Sequence, residues 1–468
     1  MTITAVEEIA VFEEWAGQVP DAHRTILPPL PGDRFAAAVS LITASGDKPS
    51  LLYERDNALH AALGAAAEVR LSAVCLTLEA RGRTWTAPLP AVRPLTSLAE
   101  AVRALSSVLG GGQARRLYGW ALFELAHLLH ETADGAPPEG CLLHLFLPET
   151  EVILTQDETV ITATGPQRAE IVEHLLRASA SPSSGDYAMP HVARPVGHDT
   201  TGYRAAVAEV LEDIAAGRLD KAVLSRTVGL DSAPSVDLPA TYLAARAANT
   251  PARSFLLDLG GWRAAGLSPE TILEADGDGR ITTQPLAGTR ALSRDAARNE
   301  ALRADLIADP KEVHEHAISV RLACAELGRV CEPGSVVVEE FMAVRERGSV
   351  QHLASRVAGR LSAQAGPWDA LAALFPAITV TGVPKREALA ALREHEDGPR
   401  GLYAGAVIAA DTAGRLDAAL VLRTIFQQAD RTWLRAGAGI VLGSTPDREF
   451  EETCEKLQSL VPHVRHVR

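Results

Sequence analysis

The chain has 468 residues, 47% apolar and 22% charged, and its 45 Lys+Arg against 59 Asp+Glu give a net charge of −14. That size and apolar content allow a large buried core and exclude global disorder, and the acidic balance argues against nucleic acid or an anionic membrane as partner. Five cysteines (Cys75, Cys141, Cys324, Cys331, Cys454) form no CxxC pair, so reduced thiols in a cytoplasmic protein are expected rather than a disulfide frame or a zinc site. The opening MTITAVEEIAVFEEW places glutamates where a secretory signal needs basic and apolar residues. No uninterrupted apolar run of about 18 residues is present to span a bilayer.

In chain order, Glu68–Pro88 alternates apolar and polar residues around Arg81–Arg83, which predicts a hairpin. Gln113–Glu131 places Tyr118, Leu122, Leu125 and Leu129 at helical spacing and predicts a helix. Cys141–Thr164 predicts two or three strands. Ala178–Tyr203 is rich in Ser, Pro and Gly; it reads as a connection, so residues 1–178 form an N-terminal α/β half, 179–202 a loop and 203–468 a second half. There, Tyr203–Ala216 predicts a helix, and Lys221–Leu230, Ser254–Leu259 and Arg280–Thr283 predict strands. Ala296–Ala308 and Lys311–Val330 predict helices around Asp309-Pro310, a suitable N-cap and first-turn pair. Gly405–Asp411, Ala418–Ile425 and Thr432–Ala438 predict a meander, and Pro446–Leu460 a closing helix. Strands in runs, without strict βαβ alternation, point to an α+β fold with antiparallel sheets.

Two helices carry the same device. Glu312 and Glu315 on one, and Glu449 and Glu452 on the other, stand at i, i+3, so each pair shares a face. Four carboxylates brought together repel unless a cation joins them, and hard oxygen ligands suit Mg²⁺. The plainer alternative is two solvated acidic faces, with Glu452–Lys456 a surface pair. His314 and His316 flank Glu315 in no zinc or di-iron pattern. Gly288-Thr289 and Gly437-Ala438-Gly439 could present backbone N–H groups to an anion, or could simply be turns. His352 lies in an apolar alternating run, as a core histidine often does. Lys221 and Arg423 lie in apolar strands, where a buried cation needs a partner.

These residues fall inside longer strings: KAVLSR (Lys221–Arg226), GLSPE (Gly266–Glu270), PLAGTR (Pro285–Arg290), DPKEVHEH (Asp309–His316), Gln351-His352-Leu353, and FPAITVTGVPK (Phe375–Lys385). GLYAGAV (Gly401–Val407), Leu422-Arg423 and LRAGAGIVLGSTPDREFEETCEK (Leu434–Lys456) continue the series. In order and spacing the set resembles the chorismate-utilising enzymes. RERGSVQHL and EFEETCEKL are most similar to the salicylate synthases among them, enzymes of siderophore and natural-product pathways.

The resemblance implies one large unit of two antiparallel sheets flanked by helices, with a central cleft for chorismate. It implies Mg²⁺ held directly by Glu315 and Glu452, with Glu312 and Glu449 as an outer pair. Tyr403, Arg423 and the backbone at Gly437 match groups that hold the enolpyruvyl carboxylate, for which a guanidinium fork is well shaped. Gly288 and Thr289 match ring-side contacts, and Lys456 a further cationic one. Lys221 matches the base that activates water for C2, for which it must be neutral. Glu270 matches the acid that protonates the departing C4 hydroxyl, for which its pKa must be raised. The expected activity is therefore isomerase, chorismate to isochorismate, followed by carbon–oxygen lyase, giving salicylate and pyruvate beside His352 and Thr379. A monomer is expected, without a glutaminase subunit.

Ala404 stands where Ser is frequent in the family, and Ala354 where Gly is common; neither position supplies a reacting group. Three competitors remain: an isochorismate synthase lacking the lyase step, an anthranilate or aminodeoxychorismate synthase component, and an inactive scaffold. Lys221 counts against the aminating type, and the complete acid, base and metal set against the scaffold.

Overall fold

The computed structural model describes residues 22–80, 82–89, 95–96, 98–102, 115–130, 138–179, 196–230, 235–348 and 350–467. All strand pairings given for them are antiparallel, and 21 strands join into one hydrogen-bonded network. The expected two sheets appear as two wings that share a pair of long strands, Ala58–Ser72 and Cys141–Leu154. Their register shifts between Ala65 and Ala67. Beyond that bulge each strand exchanges its outer neighbour, which splits the network in two.

The first wing runs outward from Ala58–Ser72 through Ser50–Arg55, Arg253–Leu259, Trp262–Ser268, Thr424–Gln428, Arg431–Val441 and Lys221–Gly229 to Gly382–Val383. The second runs from Cys141–Leu154 through Arg116–Ala121, Ala406–Asp411, Arg415–Leu420, Thr271–Asp276 and Arg280–Thr283 to Val350–Arg360. Leu286–Ala291 and Val337–Arg347 also pair with Val350–Arg360. Strands of residues 1–178 thus interleave with strands of the second half.

Successive side chains of a strand point to opposite faces, and here they enter two different cores. Leu52, Leu256 and Ala265 join one apolar cluster with the helices Arg34–Ala44 and Leu238–Ala247. Their neighbours Leu51, Leu257 and Ala264 join the other, larger cluster. Leu51, Leu52 and Tyr53 are therefore consecutive apolar residues because both faces of their strand are covered.

Most expected elements appear within three residues of their expected ends, including the Cys75–Ala80/Arg83–Pro88 hairpin and the helix Pro310–Leu327. Asp309 caps that helix by accepting from Lys311 N at 2.9 Å, a bond worth about 1 kcal/mol. Two expectations fail. Among the described residues of the expected helix Gln113–Glu131, Arg116–Ala121 is a strand and only Leu125–Leu129 is helical. Tyr118 and Trp120 are buried along with Leu117 and Ala121, so the apolar run has no informative period. A Cβ at Gly119 would lie 1.9 Å from His144 O, a sign of how closely the neighbouring strand approaches. Ala418–Ile425 is not one strand either: pairing stops at Leu420 and resumes at Thr424. Arg423 in the gap has a left-handed φ of 48°, which leaves the ladder and turns its side chain into the cleft. Residues 180–195 of the expected connection lie outside the described residues.

Candidate active site

The cleft lies between the wings and holds about 870 Å³ of space, open solvent at its mouth included. Of the predicted residues, Glu270, Gly288, Thr289, Glu312, Glu315, His352, Thr379, Tyr403, Arg423, Gly437, Glu452 and Lys456 line it. The first wing and its helix Pro446–Leu457 supply Gly437, Glu452 and Lys456. The second wing supplies Thr289 and His352, and the helix Pro310–Leu327 packed on it supplies Glu312 and Glu315. Lys221 and Glu449 are not on the cleft wall; they lie just behind it, 1% and 0% exposed.

The two ExxE faces do converge, but not as bare charge. Each carboxylate has its own basic partner: Glu315–Lys221 at 2.7 Å, Glu452–Lys456 at 2.8 Å, Glu312–Arg290 at 3.1 Å and Glu449–Lys311 at 3.3 Å. Burial, then the charges of Glu315 and Glu452, push the Glu312 carboxyl up. Burial and Glu452 do the same to Glu449. Glu452 goes the other way: Lys456 outweighs its burial and holds it below the ordinary carboxylate range. Among the described residues no three His, Cys, Asp or Glu side chains are gathered at metal-binding distance, because each carboxylate is turned to its own cation. The donors are nevertheless all hard oxygens, and Glu312 and Glu449 are under like-charge stress that a divalent cation would relieve. That chemistry fits Mg²⁺, provided that Glu315 and Glu452 release their lysines.

Glu270 follows Pro269 at the start of Thr271–Asp276 and is 3% exposed. Its carboxyl is pushed up to about 8 by burial, against the opposing pull of Thr379, whose hydroxyl donates to Oε1 at 2.7 Å. At neutral pH it holds its proton and can donate it.

His352 is buried between Thr289 and Arg423. Arg423 Nη2 meets His352 Nε2, and Thr289 Oγ1 lies 3.1 Å from Nδ1. A guanidinium only donates, so Nε2 accepts and the ring proton sits on Nδ1, facing Thr289. Burial and the Arg423 charge hold the imidazole well below its ordinary pKa, which keeps it neutral. Arg423 Nη1 also donates to Arg347 O at 2.8 Å. Burial and Arg347 lower the Arg423 guanidinium to about 10.

Glycines make room for these groups. Gly288 has φ 82°, and a Cβ there would come within 3.1 Å of Glu312 Oε2. At Gly439 a Cβ would lie 2.6 Å from Glu315 Oε1 and 3.3 Å from Lys221 Cε. Lys456 Nζ donates to Gly437 O at 2.9 Å, which ties the closing helix to this strand.

Sequence reasoning missed Arg435 on the cleft wall, and Arg290 and Lys311 as the partners of Glu312 and Glu449. Lys311 and Glu449 are 138 residues apart, and pattern reading has no means of pairing them. Arg290 stands inside the quoted PLAGTR string, the one available signal for it.

Two antiparallel wings closed over a cleft with a protonated carboxyl and paired acidic helix faces define a small-molecule enzyme fold. Residues 48–462 match the family described as chorismate binding enzyme. The chain belongs to that family. The salicylate synthase of Mycolicibacterium paratuberculosis (strain ATCC BAA-968 / K-10) is 41% identical over 438 residues, which cover 93% of this chain and 94% of that protein. Anthranilate synthase component 1 of Streptomyces coelicolor is 35% identical over 404 residues, 80% of this chain and 77% of that one. The solved menaquinone-specific isochorismate synthase of Escherichia coli shares the fold, with TM-score 0.71 at 22% identity over 98% of this chain and 100% of that chain. No helix among the described residues is long and apolar enough to cross a membrane.

Proposed function

We propose that this chain is a Mg²⁺-dependent salicylate synthase that converts chorismate through isochorismate to salicylate and pyruvate. The observation that carries the chemistry is Glu270, a buried cleft carboxyl with a pKa of about 8. An acid that keeps its proton at neutral pH is what loss of the C4 hydroxyl requires. The similarity to a salicylate synthase over nearly the whole chain supports the choice of product.

In this reading the C2–O bond forms from water and the C4–O bond breaks, with Lys221 taking the proton of the water and Glu270 giving one to the leaving hydroxyl. Lys221 must first part from Glu315, its partner at 2.7 Å. Arg423, Tyr403 and the Gly437 backbone hold the enolpyruvyl carboxylate, and Gly288 and Thr289 face the ring. Mg²⁺, held by Glu315 and Glu452 with Glu312 and Glu449 behind them, would neutralise the ring carboxylate of the substrate. Elimination then transfers a ring hydrogen to the side chain as its C–O bond breaks, and needs shape rather than another acid or base. Neutral His352 and Thr379 supply that wall. Action as a single cytoplasmic chain without a glutaminase subunit, for siderophore or natural-product synthesis, is part of the same proposal.

Incubating the purified chain with chorismate and Mg²⁺ and separating the products by chromatography tests it. Salicylate is expected; isochorismate alone identifies the synthase without a lyase step, and anthranilate formed with ammonium identifies the aminating type.

A further inference from the structure

Glu396 lies just past the helix Lys385–His395 and is not on the cleft wall. Its side chain is 3% exposed, and both of its oxygens are fully used. Oε1 accepts from Ser225 N, Ser225 Oγ and Arg400 Nη2, each at 2.7 Å. Oε2 accepts from Arg400 Nε and Arg435 Nη2, each at 2.8 Å. The two guanidiniums outweigh burial and hold the carboxyl below its ordinary range.

These partners lead to four segments of the cleft. Ser225 is in the strand that begins at Lys221, and Arg435 is in the strand that presents Gly437. Arg400 Nη1 donates to Val380 O at 2.6 Å, next to Thr379, and Arg400 Nη2 also donates to Val223 O. Arg400 and Arg435 lie 5.7 and 5.6 Å from the centre of the Tyr403 ring, so the ring is within cation–π reach of two fixed cations.

We infer that Glu396 is a positioning residue for the reaction: one buried carboxylate that holds the segments of Lys221, Thr379, Tyr403 and Gly437 in a single arrangement through Arg400, Arg435 and Ser225. The inference rests on the assignment of Tyr403, Thr379 and Gly437 as substrate-holding groups. Glu396 itself touches no substrate. Replacing it leaves two buried guanidiniums without their counter-charge and lets Thr379 and Tyr403 shift against the paired strands that carry Lys221 and Gly437, and a displacement of about 1 Å at such groups can cost on the order of a hundredfold.

The test compares Glu396→Gln with Glu151→Gln, a similarly buried carboxylate paired with Arg116 in the strand Cys141–Leu154. KM for chorismate consumption and Kd for chorismate by calorimetry are measured, with thermal unfolding followed by circular dichroism. Glu396→Gln is expected to raise both constants about tenfold or more while folded at the assay temperature. Glu151→Gln is expected to lower the melting temperature and leave KM unchanged, since partial unfolding removes active molecules without altering their affinity. If Glu396→Gln does not fold, Arg400→Lys takes its place with the same expected rise, because it keeps the charge but loses the fork. An unchanged KM and Kd in a folded variant overturns the inference. The readout does not depend on which product forms, so a different wild-type product refutes the salicylate reading alone. A wild-type chain that fails to bind chorismate refutes both, and does so in the wild-type arm.

Discussion

Lys221 Nζ lies 2.7 Å from Glu315 Oε1, so the proposed base and a proposed metal ligand are each other's partner. Metal and lysine must then compete for one carboxylate. Chelation with EDTA should abolish turnover, and Glu452→Gln should raise the Mg²⁺ requirement sharply with the fold intact. The competition also predicts that Lys221→Ala, though unable to hydroxylate C2, binds Mg²⁺ about tenfold more tightly than the parent, since a close charge pair of this kind is worth a kcal/mol or more. Calorimetry reads this directly, and equal or weaker metal affinity in that variant counts against shared occupancy of Glu315.

Glu270 dictates a pH profile. Its carboxyl titrates at about 8 because burial penalises the charged form. The proton it must donate is present below that pH and gone above it, so kcat/KM should fall as pH rises through about 8. Thr379 stabilises the charged form, and Thr379→Val should therefore move the alkaline limb to higher pH. Glu270→Gln should make no isochorismate at any pH. A limb that moves to lower pH in Thr379→Val contradicts the assignment of that limb to Glu270.

Arg423 reaches two acceptors at once, Arg347 O and His352 Nε2, and a lysine has no fork to do so. Arg423→Lys should raise KM for chorismate about tenfold, equivalent to about 1.4 kcal/mol. His352 is already neutral, so the parent profile should show no limb between pH 6 and 7, about where an ordinary imidazole titrates. Such a limb that vanishes in His352→Asn would mean that the ring takes up a second proton in this range, against the neutral assignment.

Gly439 offers a test of close packing. Any Cβ there would press on Glu315 Oε1 at 2.6 Å, so Gly439→Ala must push the Glu315–Lys221 pair aside. Activity should drop at least about tenfold with the melting temperature little changed. Full activity would show that the pair is free to move without consequence.

The helices carrying Glu312, Glu315, Glu449 and Glu452 were legible because their carboxylate spacing, and for the first the Asp309 cap, are local. The same holds for strands such as Arg280–Thr283. Arg116–Ala121 was misread because a strand buried on both faces has no period of two. The break at Arg423 was hidden because no glycine or proline marks it. The meeting of the two acidic faces, and the pairing of Lys221 with Glu315 and of Lys311 with Glu449, depend on contacts between residues about 90 or more positions apart. Spacing cannot show such contacts; resemblance to a family supplied the first, and only the structure supplied the second. Glu396 left no mark in the sequence beyond its Arg400 partner four residues on.

The most direct test of the central claim is a time course with chorismate as the only organic substrate, Mg²⁺ and the purified chain, in which salicylate is followed by chromatography and pyruvate by a coupled assay. The two should rise together in equal amounts, with isochorismate only a transient or minor species, because aromatisation makes the second step strongly downhill. Accumulation of isochorismate without pyruvate would contradict the account.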